Sequence, residues 1–328
     1  MTQLARPSRR WFYSGLSWLG LAAAVLGFSS TARAVIVYGS QGNNYATGPN
    51  YTSVPDGVGS YEGVFGAALG TPIAPRFFVT AYHVDEGGPG STGFFTYANN
   101  TANSTVYDVQ CVNEIGNTDL AVWEIQPSDA DSFTYYAPLE QSAPALNSPL
   151  VVIGRGTARG SAVTGGWAWG SDTGSVSWGT NTVNSIKTFA GPPAGLGGNF
   201  IYYTFNATGG SNSNEAILSG GDSGGAIFIQ NTVTEAWELA GINSEVDDVS
   251  LTSGGSAANY ALYDARGYYN GATLISGSNA VPEGSYDAAI YSNYTAIMQA
   301  VPEPASGLLL LVSLFPLAAA RGWRRSPR

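Results

Sequence analysis

Short runs rich in Val, Ile, Tyr, Phe and Trp alternate along this chain with clusters of Gly, Asn, Ser and Asp, the pattern of many strands joined by turns. The clearest runs are 76–80, 106–112, 120–125, 150–154, 200–205, 226–229 and 237–244. Helical spacing is nearly absent until 287–300, where Ala289, Ile290, Tyr294 and Ile297 predict a short amphipathic helix. The expectation is an all-β fold with one terminal helix. The segment 127–149 is poor in strand signals and carries Pro127, Pro138, Pro144 and Pro149, so it reads as a connection between two halves. No repeat of fixed period occurs, which argues against a solenoid or a propeller. The Gly-rich stretches 87–93, 191–198 and 209–214 read as exposed loops.

The two ends carry a different pattern. Arg6, Arg9 and Arg10 precede an apolar run over 16–28 and the small-x-small sequence Ala32-Arg33-Ala34, the three-part layout of a secretory signal peptide. Cleavage after Ala34 would make Val35 the new N-terminus. At the other end, Val301-Pro302-Glu303-Pro304 leads into an apolar stretch over 307–320 and a basic tail with Arg321, Arg324, Arg325 and Arg328. That stretch is short for a bilayer span of roughly 20 residues, and the basic cluster would hold it on the cytoplasmic side.

Setting the ends aside changes the charge. They hold eight of the 13 basic residues and, in Glu303, one of the 23 acidic ones, so the remainder has five basic and 22 acidic side chains, a net charge of −17. A chain so acidic repels nucleic acid and anionic lipid. Cys111 is the single cysteine, so no intrachain disulfide can form and stability must come from the core. With one His and one Cys in the chain no metal constellation is expected, nor any cofactor.

Three places carry candidate chemistry. Gly220-Gly221-Asp222-Ser223-Gly224-Gly225 is a Gly-rich turn running straight into the apolar strand 226–229. A nucleophilic Ser needs such a bend, which exposes its oxygen and lets the N–H groups of Gly221 and Ser223 point into the same space as an oxyanion hole. His83, the sole histidine, ends the apolar run Phe78-Val79-Thr80-Ala81-Tyr82, and imidazole is the side chain suited to general base work near neutral pH. Asp119 opens the alternating run Leu120-Ala121-Val122-Trp123-Glu124-Ile125, a rigid mount for a carboxylate that orients an imidazole.

Taken together, Thr80-Ala81-Tyr82-His83, Asp119-Leu120-Ala121 and Gly221-Asp222-Ser223-Gly224-Gly225 resemble the three active-site motifs of trypsin/chymotrypsin-like serine proteases, in the same chain order. Gly241-Ile242-Asn243-Ser244 resembles the strand that pairs with substrate in that family, and 291–298 its terminal helix. The resemblance implies an all-β protein of two six-stranded barrels of the chymotrypsin type with a short C-terminal helix. It implies a division into a leader (1–34), a first barrel (35–130), a connection (131–148), a second barrel with the helix (149–300) and a tail (301–328). The tail resembles the PEP-CTERM sorting signal of Gram-negative bacteria, which implies an envelope or secreted location, a sorting enzyme as partner and transient membrane association.

The implied activity is hydrolysis of peptide bonds in a protein or peptide substrate, with His83, Asp119 and Ser223 as the triad. Two departures bear on specificity. Ile217, six positions before Ser223, falls where trypsin has the acidic base of its pocket, so cleavage after Lys or Arg is not expected. Glu245 and Val246 follow Ser244 where many members have an aromatic and a glycine, and Val246 would narrow the pocket toward small apolar residues. In pancreatic-type relatives a new apolar N-terminus pairs with the Asp beside the nucleophile. Val35-Ile36-Val37 and Asp222 are the counterparts here, so removal of the leader is expected to activate directly. The competing expectations are a catalytically silent member of the same fold that binds at a surface or matrix, and a polysaccharide-binding β-sandwich.

Overall fold

The computed structural model describes residues 35–39, 58, 60–84, 88–98, 104–172, 174–190, 197–207, 210, 213–256 and 259–301 of the 328-residue chain. The leader expected over 1–34 lies outside them, as does the tail beyond 301. The sheets of the described residues fall into two groups along the chain, one on each side of the proline-rich segment.

After the two-residue strand β1 (Ile36–Val37), the first half contains β2 (Gly63–Phe65), β3 (Ala68–Ala74), β4 (Phe77–Thr80), β5 (Thr92–Ala98), β6 (Ser104–Glu114) and β7 (Ala121–Ile125). These close into a six-stranded antiparallel barrel in the order β2-β3-β4-β7-β6-β5. Its interior is aromatic: Phe65 lies 4.6 Å from Trp123 and Phe78 4.3 Å from Phe95, ring centre to ring centre. Phe133, from the proline-rich connection, fills the same core, and its N–H is bonded to the carbonyl of Pro75. The connection is therefore stitched onto the barrel although it forms no strand of its own.

The second half begins with β8 (Pro149–Gly154), β9 (Thr157–Val163), β10 (Gly166–Asp172), β11 (Ser177–Thr182), β12 (Ser185–Ala190) and β13 (Gly197–Thr204). It continues through β14 (Ala216–Ile217), β15 (Ala226–Gln230), β16 (Trp237–Val246), the short β17 to β20 between 249 and 274, and β21 (Gly284–Ala289), then ends in α1 (Tyr294–Ala300). Its main sheet has seven strands in the order β11-β8-β15-β16-β21-β13-β12, one more than expected. The two edge strands, β11 and β12, are separated in sequence by Val183 and Asn184 alone, so the sheet must roll until its edges meet. The Asn181 side chain donates to the carbonyl of Thr204 across that seam at 3.0 Å.

Alternation of side chains along the strands distributes residues among three cores. From β4 and β7, Phe78, Ala121, Trp123 and Ile125 enter the first barrel, whereas Phe77, Val79 and Val122 face outward. From β8 and β15, Leu150, Val152, Ile227 and Ile229 enter the second, whereas Val151, Ile153, Ala226 and Phe228 face outward. The outward sets of both halves join in one buried cluster, which also takes in Ile297 of α1. The expected helix over 287–300 is shorter than its spacing predicts. Residues 287–289 pair with β16 instead, Asp287 opposite Asn243, because two unmet ladder edges outweigh a marginal helical pattern.

Several carboxylates are buried with no cation beside them among the described residues. Glu62 accepts from Thr71 Oγ1 at 2.9 Å, and burial pushes its carboxyl up to about 8; burial, reinforced by the charge of Glu238, lifts Glu140 to about 7. Burial also holds Glu283 and Asp287 well above the carboxylate range. Groups whose pKa is raised on folding stabilise the protein fully below their unfolded values and lose that contribution as pH rises through their folded ones. The melting temperature is expected to rise as pH falls from 8 to 5, and Glu62→Gln to flatten that slope; thermal melts across this range that show the opposite trend, or an unchanged slope in the variant, would remove the assignment.

Candidate active site

The register of the first barrel decides where its two candidate residues lie. β4 and β7 are antiparallel neighbours with Thr80 opposite Ala121, so the chain leaving β4 and the chain entering β7 emerge at the same end. One 3₁₀ turn, Tyr82–Val84, carries His83; two residues before β7 stands Asp119. The Asp119 carboxylate is buried and fully used. Its Oδ1 accepts the backbone N–H of His83 at 2.9 Å, and its Oδ2 accepts from His83 Nδ1 at 2.8 Å and from Ser244 Oγ at 2.5 Å. A carboxylate at Nδ1 requires the proton there, which leaves Nε2 as the basic nitrogen. Nε2 lies 2.8 Å from Ser223 Oγ.

Burial, the largest influence on His83, lowers its pKa, but the hydrogen bond and charge of Asp119, with the charge of Glu245, outweigh it and set the imidazole above its ordinary value. The imidazolium is therefore stabilised by the same carboxylate that orients the ring.

Ser223 arrives from the second half on the turn between β14 and β15. Gly221 and Gly224 adopt φ of +93° and +78°, in the region that favours glycine. Gly224 also has no room for a side chain: a Cβ there would come within 2.4 Å of both the Leu69 carbonyl and Thr80 Oγ1 of the first barrel. Among the described residues neither the Gly221 nor the Ser223 N–H has an acceptor, so both are available to a ligand oxygen. The turn is held by Asp222, whose buried carboxylate accepts from the Gly156 N–H at 2.7 Å, the Ser219 N–H at 2.7 Å, Ser219 Oγ at 3.0 Å and the Val35 N–H at 3.3 Å. Burial lifts Asp222 to about 6 against these hydrogen bonds.

Recesses flank Ser223 on both sides. The smaller, about 320 Å³, is lined by Ser244, Glu245 and Val246, three of the residues singled out in the sequence, and by Trp169, Asp247 and Asp248, which sequence reasoning missed. The larger, about 670 Å³, lies against His83 and is walled by residues of the first barrel. Ile217 is in neither. It pairs with Ile36 in the β1–β14 ladder and is fully buried beside Phe205 and Ala261, so its expected place in a specificity pocket is corrected. Strand alternation explains this, since Ala216 and Leu218 face the other way, into the second barrel. The adjacent acidic pair Asp247-Asp248 was visible in the sequence but had no motif to attach it to the site.

No protein-family model and no curated protein matches the chain. Among solved structures it is similar to the MamO protease domain from Magnetospirillum magneticum in its apo form, at 14% identity over 74% of this chain and 97% of that one, with a TM-score of 0.43. So loose a likeness bears on neither substrate nor activity, and the chemistry rests on the side chains described above.

Proposed function

We propose that this protein is a serine endopeptidase that hydrolyses peptide bonds through an acyl-enzyme. The observation that carries the reading is the unbroken run of hydrogen bonds from Asp119 through His83 to Ser223, both His83 contacts being 2.8 Å long. Ser223 Oγ attacks the carbonyl carbon while His83 Nε2 takes its proton. The carbonyl oxygen, now an anion, is held by the N–H groups of Gly221 and Ser223. His83 then protonates the departing amine as the C–N bond breaks, and water, deprotonated by the same nitrogen, releases the acid. The hydrogen bond from His83 Nδ1 to Asp119 Oδ2 steadies the imidazolium in both steps. We further propose that the enzyme works outside the cytoplasm, on the strength of the sequence signals at 1–34 and 301–328.

A fluorophosphonate probe tests the nucleophile without a known substrate. The folded wild type is expected to be labelled, and Ser223→Ala and His83→Ala each to abolish labelling and lower kcat by about 10³-fold or more. An unlabelled but folded wild type would favour the catalytically silent binding protein.

His83 acts only when neutral, so activity is expected to fall as pH drops through its raised pKa. Glu245→Gln removes one of the charges that raise it and should move the acid limb of kcat/KM to lower pH; an unmoved or upward-moved limb would contradict the electrostatic account.

The contact between the Val35 N–H and Asp222 supports activation by removal of the leader. Cleavage after Ala34 would place an ammonium group where an amide now lies 3.3 Å from Asp222 Oδ1, favouring the ionised carboxylate. N-terminal sequencing of active protein is expected to begin at Val35, and Asp222→Asn to lower kcat/KM by about tenfold or more. Active protein that begins well past Val35 would reject this route.

A further inference from the structure

The two recesses at Ser223 differ in chemistry, and the position of His83 gives them a direction. In the proposed reaction His83 Nε2 hands its proton to the departing amine, so the leaving segment of a substrate must run on the His83 side. His83 lines the larger recess and is absent from the smaller. The acyl segment, held through Ser223, is left with the smaller.

The leaving side is apolar. Val64, Phe65, Ala67, Ala68, Val84 and Phe94 wall it, and among the described residues its lining has no charged side chain other than His83. Phe94 is 66% exposed on β5, an aromatic ring left in water at the rim of the nucleophile's own cleft.

The acyl side is acidic. Glu245, Asp247 and Asp248 line it, and among the described residues no Lys or Arg does. Asp247 is engaged, accepting from Tyr202 Oη at 2.9 Å, Tyr286 Oη at 2.6 Å and the Gly284 N–H at 2.8 Å. Among the described residues no donor reaches the carboxylates of Glu245 and Asp248, and both residues are exposed. Burial, then the charge of Asp119, raises the Glu245 carboxyl, with Asp248 adding to the effect and His83 alone opposing it. Among the described residues His83 is the one group that offsets the negative field there. Lys187, 4.8 Å from the centre of the Tyr202 ring, belongs to neither lining.

We propose that the cleft selects peptide bonds flanked by a basic side chain on the acyl side and a large apolar side chain on the leaving side. This rests on the serine endopeptidase reading and reverses the specificity expected from Ile217: the counter-charge comes from the strand after Ser244, where Glu245 and Asp248 stand, instead of from the position six residues before the nucleophile.

The test uses internally quenched peptides identical except at the two residues around one bond: Lys-Phe, Phe-Lys, Lys-Gly and Ala-Phe. Lys-Phe is expected to be cleaved fastest, with kcat/KM at least about tenfold above the reversed order. Phe94→Ser should bring Lys-Phe down toward Lys-Gly. Glu245→Gln combined with Asp248→Asn should bring it down toward Ala-Phe, as should added salt, which screens exposed charges. All three are surface side chains, so the variants are expected to fold. Equal turnover of Lys-Phe and Phe-Lys, or loss of the lysine preference with no response to salt, overturns the proposal. Fluorophosphonate labelling run on the same samples separates the two levels: labelling without order preference overturns the cleft polarity alone, and no labelling overturns both.

Discussion

The strands at the heart of this molecule are buried on both faces, and that constraint holds the rest in place. In β4, β7, β8 and β15, successive side chains belong to different cores, one inside a barrel and one shared between the halves. A slip of one residue would exchange Phe78 with Val79, or Ile227 with Phe228, putting the wrong volume into two close-packed interiors at once. Register is therefore pinned from both sides. Because Thr80 must face Ala121, the turn with His83 and the residue Asp119 meet at one barrel end, and the hydrogen bonds between them need little further ordering.

The nucleophile depends on the other half, and the junction is a matter of missing atoms. Gly224 lets the Ser223 turn approach the Leu69 carbonyl and Thr80 more closely than any side chain would permit. The Leu69 N–H meets the Ser223 carbonyl at 3.5 Å, and Arg155 Nη1 donates to the Ala67 carbonyl at 2.7 Å, so backbone groups of β3 and of the turn before it bridge to the second half. Asp222 ties the same turn back to Gly156 and to the start of the described chain at Val35. Ser223 is thus located by contacts to three separated segments.

Much of this was legible in the sequence, for physical reasons that can be named. The runs at 120–125, 150–154 and 226–229 announce themselves because two-sided burial demands apolar residues in succession. His83, Asp119 and Ser223 stand beside such runs, so their convergence followed from strand order once the motifs were seen. β9 to β12 were not legible: Arg159, Lys187 and many small polar residues occupy strands with an exposed face, and propensity there is weak. Ile217 was misplaced for a different reason. Counting back six residues to Ile217 assumes a loop of fixed path, whereas the lining of a recess depends on which side of a strand faces it. The helix was overdrawn because Ala289 and Ile290 fit either period and only the pairing with β16 distinguishes them.

Cys111 lies inside the first barrel, 3% exposed, and no other sulfur in the chain can compete for a thiol reagent. Its alkylation must wait for that barrel to open. The rate therefore measures how often the β6 ladder comes apart under native conditions, while the second half, which has no thiol, stays silent. The fold carries a built-in clock for the breathing of the element that mounts His83 and Asp119, readable without adding a label.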